Sequence, residues 1–66
     1  MLLGRTIDVN GSFYVVDSLR MTDGKTFVRA SAHIDGVAVE RDLPAEFAFS
    51  ALVVDEEIEL RGVSFA

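Results

Sequence analysis

The amino-acid sequence predicts an all-β protein. This prediction rests on recurring turn dipeptides, on runs of alternating or β-branched residues between them, and on a high content of hydrophobic residues. The turn dipeptides recur at intervals of 13 and 12 residues and are Asn10-Gly11, Asp23-Gly24 and Asp35-Gly36. Each lies between runs of alternating or β-branched residues, where an Asx-Gly pair is the strongest short-range signal for a hairpin. Hydrophobic residues make up 50% of the chain, which excludes a disordered polypeptide.

Length and cysteine content set the expected organisation. A chain of 66 residues is enough for a single small domain, 1–66. There is no cysteine, so no disulfide framework can form, and small secreted domains usually depend on one. The N-terminal residues lack a basic segment followed by a long apolar run, so we expect no signal peptide and a cytoplasmic location.

The hairpin around Asp35-Gly36 has the clearest register. A two-residue loop makes one face mostly apolar and the other polar, whereas a slip by one residue would mix the two faces. The predicted pairs are Ile34–Val37, Ala32–Val39, Ala30–Arg41 and Val28–Leu43 on the apolar face, and His33–Ala38, Ser31–Glu40 and Arg29–Asp42 on the polar face.

The hairpin around Asp23-Gly24, treated in the same way, uses the same apolar face of the third strand. Its predicted pairs are Leu19–Val28, Asp17–Ala30, Val15–Ala32 and Phe13–Ile34. Together with a three-residue loop in the first hairpin, this register places Arg5, Asp17 and Arg41 in one row, which predicts an ion cluster on the core face. Removing a member of a buried cluster is costly, so we expect Asp17→Ala to destabilise the protein more than Asp8→Ala.

The first hairpin leaves two alternatives. The turn chemistry of Asn10-Gly11 favours a two-residue loop, which would put Leu3 and Ile7 on the polar side of the predicted sheet. A three-residue loop that includes Ser12 instead pairs Ile7 with Val15 and keeps the apolar side chains together, with a bulge at the turn. The hydrophobic pattern therefore favours the three-residue loop.

The remaining segments complete the expected fold. Residues 44–52 begin with Pro44 and predict one short helical turn, the alternative being an irregular strand. Alternation of Ile58 and Leu60 with charged residues predicts a last strand that ends near Val63. Five antiparallel strands in a meander with one helical turn are typical of an SH3-like barrel, and an OB-like barrel is the alternative.

No arrangement of residues indicates catalysis or a cofactor. The single histidine, His33, has no predicted metal-ligating neighbour, and there is no nucleophile elbow or glycine-rich phosphate loop. The densest carboxylate cluster lacks the spacing of a calcium loop; it consists of Asp55, Glu56, Glu57 and Glu59. We therefore expect a protein that is not an enzyme and that uses no metal.

The face of the second and third strands turned away from the predicted core is the candidate partner-binding surface. Its residues are Tyr14, Val16, Arg20, Phe27, Arg29 and His33. Tyrosine, phenylalanine and arginine are common in protein interfaces, so we expect a protein-interaction module that forms a homo-oligomer. The alternative is a barrel that binds single-stranded nucleic acid, which stacks on aromatic rings. The net charge of −5 opposes that alternative.

Overall fold

The computed structural model describes residues 1–54, which form one antiparallel sheet and a short helix. The strands are β1 (Thr6–Val9), β2 (Ser12–Thr22), β3 (Lys25–Ile34) and β4 (Val37–Pro44), and the helix is α1 (Ala45–Ser50). The strand order is β1-β2-β3-β4, and the sheet is not closed within the described residues. The all-β class is confirmed. A five-stranded closed barrel is not what residues 1–54 form, and the predicted last strand lies outside them from Asp55 onward.

All three hairpins have two-residue loops whose central residues both have positive φ. Asn10, Asp23 and Asp35 each have φ of 52°, and the glycines that follow them have φ of 83°, 73° and 79°. Positive φ at both positions is the signature of the type I′ turn, whose twist matches that of the flanking strands. The three-residue loop predicted for the first hairpin is therefore wrong. Its length is two residues, as the turn preference of Asn10-Gly11 indicated.

The β3–β4 register agrees with the prediction at every pair, from Ile34–Val37 to Val28–Leu43, and it includes Arg29–Asp42. The β2–β3 register agrees only near the turn, where Leu19 faces Val28. Beyond that point the register shifts between Val16 and Ser18.

This shift is a β-bulge at Asp17, and it decides which side chains of β2 are buried. Val16 pairs with Ala30 and Ser18 pairs with Arg29, so Asp17 is the additional residue in β2. An additional residue reverses the inward and outward alternation on its far side. Tyr14 and Val16 consequently face the core, and the predicted pairs of Phe13, Val15 and Asp17 with β3 are wrong.

The bulge also removes the conflict in the first hairpin. With a two-residue loop, Ile7 lies opposite Tyr14. Because the bulge turns Tyr14 inward, Ile7 points into the core as well and is fully buried. Turn chemistry and hydrophobic burial therefore agree in this hairpin once β2 contains the additional residue.

The core lies between the sheet, the N-terminal residues and the helix. Its buried side chains are Leu2, Ile7, Val9, Tyr14, Val16, Val28, Ala30 and Ala48. The four largest fully buried ones are Tyr14, Ile7, Val16 and Val28. Each contributes about 1.5–3 kcal/mol relative to an exposed position, so these four carry much of the stability of so small a protein.

Helix α1 begins directly after Pro44, and the helix predicted for residues 44–52 is confirmed over Ala45–Ser50. Ala48 is its buried residue, whereas Phe47 and Phe49 are 42% and 57% exposed. After the helix the chain returns antiparallel to β1 through an isolated bridge between Ile7 and Leu52. No helix within residues 1–54 is long and apolar enough to cross a membrane.

Candidate interaction site

The structure divides the six residues predicted for partner binding into a buried pair and an accessible group. Tyr14 and Val16 are each only 1% exposed and belong to the core, so their predicted position on the outer face is wrong. The reason is the bulge at Asp17. It lies between these two residues and the Asp23-Gly24 turn, from which the predicted register was counted. The accessible residues are Arg20, Phe27, Arg29 and His33, of which Phe27 is partly buried. These four lie on the side of the sheet opposite the core, which we call the outer face.

Two arginines on the outer face share one carboxylate. Arg29 Nε donates to Asp42 Oδ1 at 3.1 Å, and Arg29 Nη2 donates to Asp42 Oδ2 at 3.4 Å. Arg20 reaches the same Oδ2 at 3.5 Å from the neighbouring strand. All three side chains are substantially exposed, so the cluster orders the surface more than it stabilises the fold. Sequence reasoning found the Arg29–Asp42 pair from the register but did not include Asp42 among the site residues.

The protonation equilibria of this cluster favour the charged forms. The hydrogen bond from Arg29 and the positive charges of Arg29 and Arg20 hold the pKa of Asp42 below its ordinary value, against a smaller opposing effect of desolvation. The hydrogen bond to Asp42, together with its charge and that of Glu40, raises the pKa of Arg29 above its ordinary value. At neutral pH the cluster therefore carries two positive charges and one negative charge.

Phe27 lies between two depressions in the surface. It is paired with Arg20 on β2 and with Pro44 on β4. The first depression, about 290 Å³, is lined by Arg20, Arg29 and Asp42 as well as by Phe27. The second, about 650 Å³, runs between the start of β3 and helix α1 and is lined in part by Lys25, Pro44, Glu46 and Phe49. Phe49 was not among the residues predicted for partner binding.

The charges on the outer face are segregated by strand. Around Asp42 the basic side chains come from β2 and β3 and are Arg20 and Arg29, whereas the acidic ones come from β4 and are Glu40 and Asp42. Lys25 at the start of β3 and Asp8 on β1 lie on the same side of the sheet. Small residues lie beside the charged side chains around Asp42, and these are Ser18, Ser31 and Ala38. We call the arginine side the basic half and the carboxylate side the acidic half of the outer face.

A second polar contact lies on the core face of the sheet. Arg41 Nε donates to the hydroxyl of Tyr14 at 3.0 Å, and the guanidinium carbon is 5.8 Å from the centre of the Tyr14 ring. Ala30, which pairs with Arg41, is small enough to let the arginine extend across it. The predicted cluster of Arg41 with Asp17 is therefore wrong, because Asp17 occupies the bulge and is exposed.

The described residues contain no group of three or more side chains that could hold a metal ion. No protein-family model matches the chain, and comparisons with curated proteins and with solved structures gave no match. The residues of the outer face are therefore the basis for any proposal about function.

Proposed function

We propose that this chain is a small, non-catalytic protein-interaction module that associates with itself through the outer face of β2 and β3. The observation that carries the proposal is a partly buried aromatic ring, Phe27, beside two exposed arginines that Asp42 holds in place. Aromatic and arginine side chains dominate interface energetics. A side chain that is already ordered loses less entropy when a partner binds.

Exposed apolar side chains elsewhere give further support to the proposal. Phe49 is 57% exposed and lines the second depression. Exposed apolar groups that lie close together are typical of association surfaces, whereas isolated ones are common on any protein. Phe27 and Phe49 line the same depression, which supports an association surface that includes it.

We further propose that this chain adopts an SH3-like barrel, with an OB-like barrel as the alternative. Support comes from the bridge between Ile7 and Leu52, at which the chain leaving helix α1 pairs with the otherwise free edge of β1. Two backbone hydrogen bonds accompany the bridge: Asp8 N–H donates to Ala51 C=O at 2.9 Å, and Val53 N–H donates to Thr6 C=O at 3.1 Å. Closure of a sheet removes unpaired edges that would otherwise promote aggregation.

Binding of single-stranded nucleic acid is the second candidate, and the same ring and arginines suggest it. Asp42 weakens this candidate, because a carboxylate between two arginines repels a phosphate. The chain is negatively charged and has few basic side chains on the outer face, so it also lacks the multiple phosphate contacts that such binding requires.

Light scattering after size-exclusion chromatography tests the proposal. We expect a mass above the 7.2 kDa of one chain, approaching twice that value as protein concentration rises. Phe27→Ala should shift the mass toward that of a single chain, whereas Phe47→Ala, an exposed phenylalanine on α1, is the matched control and should not. A wild-type mass of 7.2 kDa at every concentration would contradict self-association.

Fluorescence polarisation with labelled oligo-dT separates the two candidates. The interaction module should give no increase in polarisation at low salt. A salt-sensitive increase that Phe27→Ala abolishes would favour the nucleic-acid candidate instead.

A further inference from the structure

We infer that two copies of the chain pack outer face to outer face about a two-fold axis, with the basic half of each copy over the acidic half of the other. This inference rests on the proposed self-association and adds its geometry. The chemistry that recognises the partner is therefore a second copy of the same charge pattern.

The first step is the balance of charge on the outer face. Arg20 and Arg29 supply two positive charges on β2 and β3, and Glu40 and Asp42 supply two negative charges on β4. These four charges cancel, although the chain as a whole has a net charge of −5. A surface cluster with equal and separated charges can meet its own copy without the repulsion that an acidic surface would produce.

The second step is symmetry. Most homodimers have a two-fold axis, so the same patch lies on both sides of the interface. An axis that runs along the strands near the boundary of the two halves brings each basic half over the partner's acidic half. An axis in the same plane but across the strands would bring arginines against arginines, so charge complementarity selects the first orientation.

The third step is shape and unused hydrogen-bonding capacity. Small side chains at Ser18, Ser31 and Ala38 leave room for a second sheet at the usual spacing of about 10 Å. Arg20 has a single long contact of 3.5 Å with Asp42 among the described residues, and a guanidinium has five N–H donors. Carboxylates of a second copy would give these donors closer partners, and the two Phe27 rings would be covered.

Charge reversal of each half tests this arrangement. One variant reverses the basic half, Arg20→Glu with Arg29→Glu, and the other reverses the acidic half, Glu40→Lys with Asp42→Lys. We expect each variant alone to dissociate at least about tenfold more readily than wild type, as measured by sedimentation equilibrium. An equimolar mixture should regain association, because every reversed half then faces a complementary one.

A matched control changes the same amount of charge away from the outer-face cluster. Arg5→Glu should associate like the wild-type chain, whereas Arg29→Glu, the matched single reversal on the outer face, should not, and circular dichroism melts of all variants establish that they are folded. A mixture that stays dissociated while wild type dimerises would overturn the two-fold arrangement and leave self-association intact. A wild-type chain that never dimerises would instead refute the proposed function itself.

Discussion

Tyr14 packs in the core through its ring and forms a hydrogen bond through its hydroxyl. Its ring is buried beside Ile7 and Val16, and its hydroxyl accepts a hydrogen bond from Arg41. A buried tyrosine hydroxyl usually requires such a partner, because an unpaired polar group in the core is costly. This hydrogen bond orients Arg41, whose partner on β3 is the small residue Ala30.

We expect Tyr14→Ala to lower the free energy of unfolding by about 3–5 kcal/mol, because it leaves a cavity in a thin core. Tyr14→Phe keeps the ring, loses only the hydrogen bond to Arg41 and should cost about 1 kcal/mol. Urea denaturation followed by circular dichroism measures both values. Equal, small losses for the two variants would contradict the buried position of the ring.

The pKa of Asp42 predicts how stability depends on pH. Because that pKa is lower in the folded protein, the contribution of the carboxylate is complete above the ordinary pKa of about 3.9 and disappears as pH falls through the folded value. Asp42→Asn should therefore be less stable than wild type at pH 7, by an amount that vanishes in acid. A difference in urea midpoint that persists unchanged to pH 2 would count against this mechanism.

At the scale of elements, the turns and the bulge together define which side of each strand faces the core. In the first turn, Asp8 Oδ1 accepts a hydrogen bond from the Gly11 N–H at 3.0 Å. Asp17, in contrast, is an exposed residue of the bulge. Asp8 should therefore contribute more to stability than Asp17, which is the reverse of what the sequence pattern predicted.

We expect Asp8→Ala to destabilise the protein by about 0.5–1 kcal/mol through loss of the turn hydrogen bond, and Asp17→Ala to cost less. Melting temperatures measured by differential scanning calorimetry compare the two. A lower melting temperature for Asp17→Ala than for Asp8→Ala would instead support the ion cluster that the sequence predicted.

Local features could be predicted from the sequence, but the register shift between β2 and β3 could not. Type I′ turns, the β3–β4 pairing and the helix after Pro44 follow from residues that are close in the chain. The bulge does not, because β2 is apolar on both alternations, with Phe13, Val15 and Leu19 on one and Tyr14 and Val16 on the other. Only the packing of the whole core decides which of the two sets is buried. Tyr14 and Val16 therefore belong to the core and not to the predicted site, whereas Arg20, Phe27 and Arg29 lie together on the outer face.

At the scale of the whole molecule, small size makes association and stability interdependent. A chain of 66 residues has a free energy of unfolding of roughly 3–10 kcal/mol. Burial of the outer face against a second copy would add to this value only in the folded state. Association that selects the folded state raises the apparent stability by mass action.

We therefore expect the melting temperature to rise with protein concentration in the wild-type chain. The rise should be absent in the Arg20→Glu, Arg29→Glu variant, which remains a single folded chain under the proposed arrangement. Calorimetry over a hundredfold range of concentration makes the comparison. A concentration-independent melting temperature in a chain that light scattering shows to be dimeric would mean that the interface contributes nothing to folding.

The bulge at Asp17 also makes the two ends of β2 interdependent. Without it, β2 would pair with β3 in an uninterrupted register that buries Phe13 and Val15 in place of Tyr14 and Val16. The Asn10-Gly11 turn favours the bulged register, since its two-residue loop aligns Ile7 with Tyr14. Lengthening that turn by one residue should therefore weaken the bulged register, and amide hydrogen exchange in β2 would measure the loss of protection.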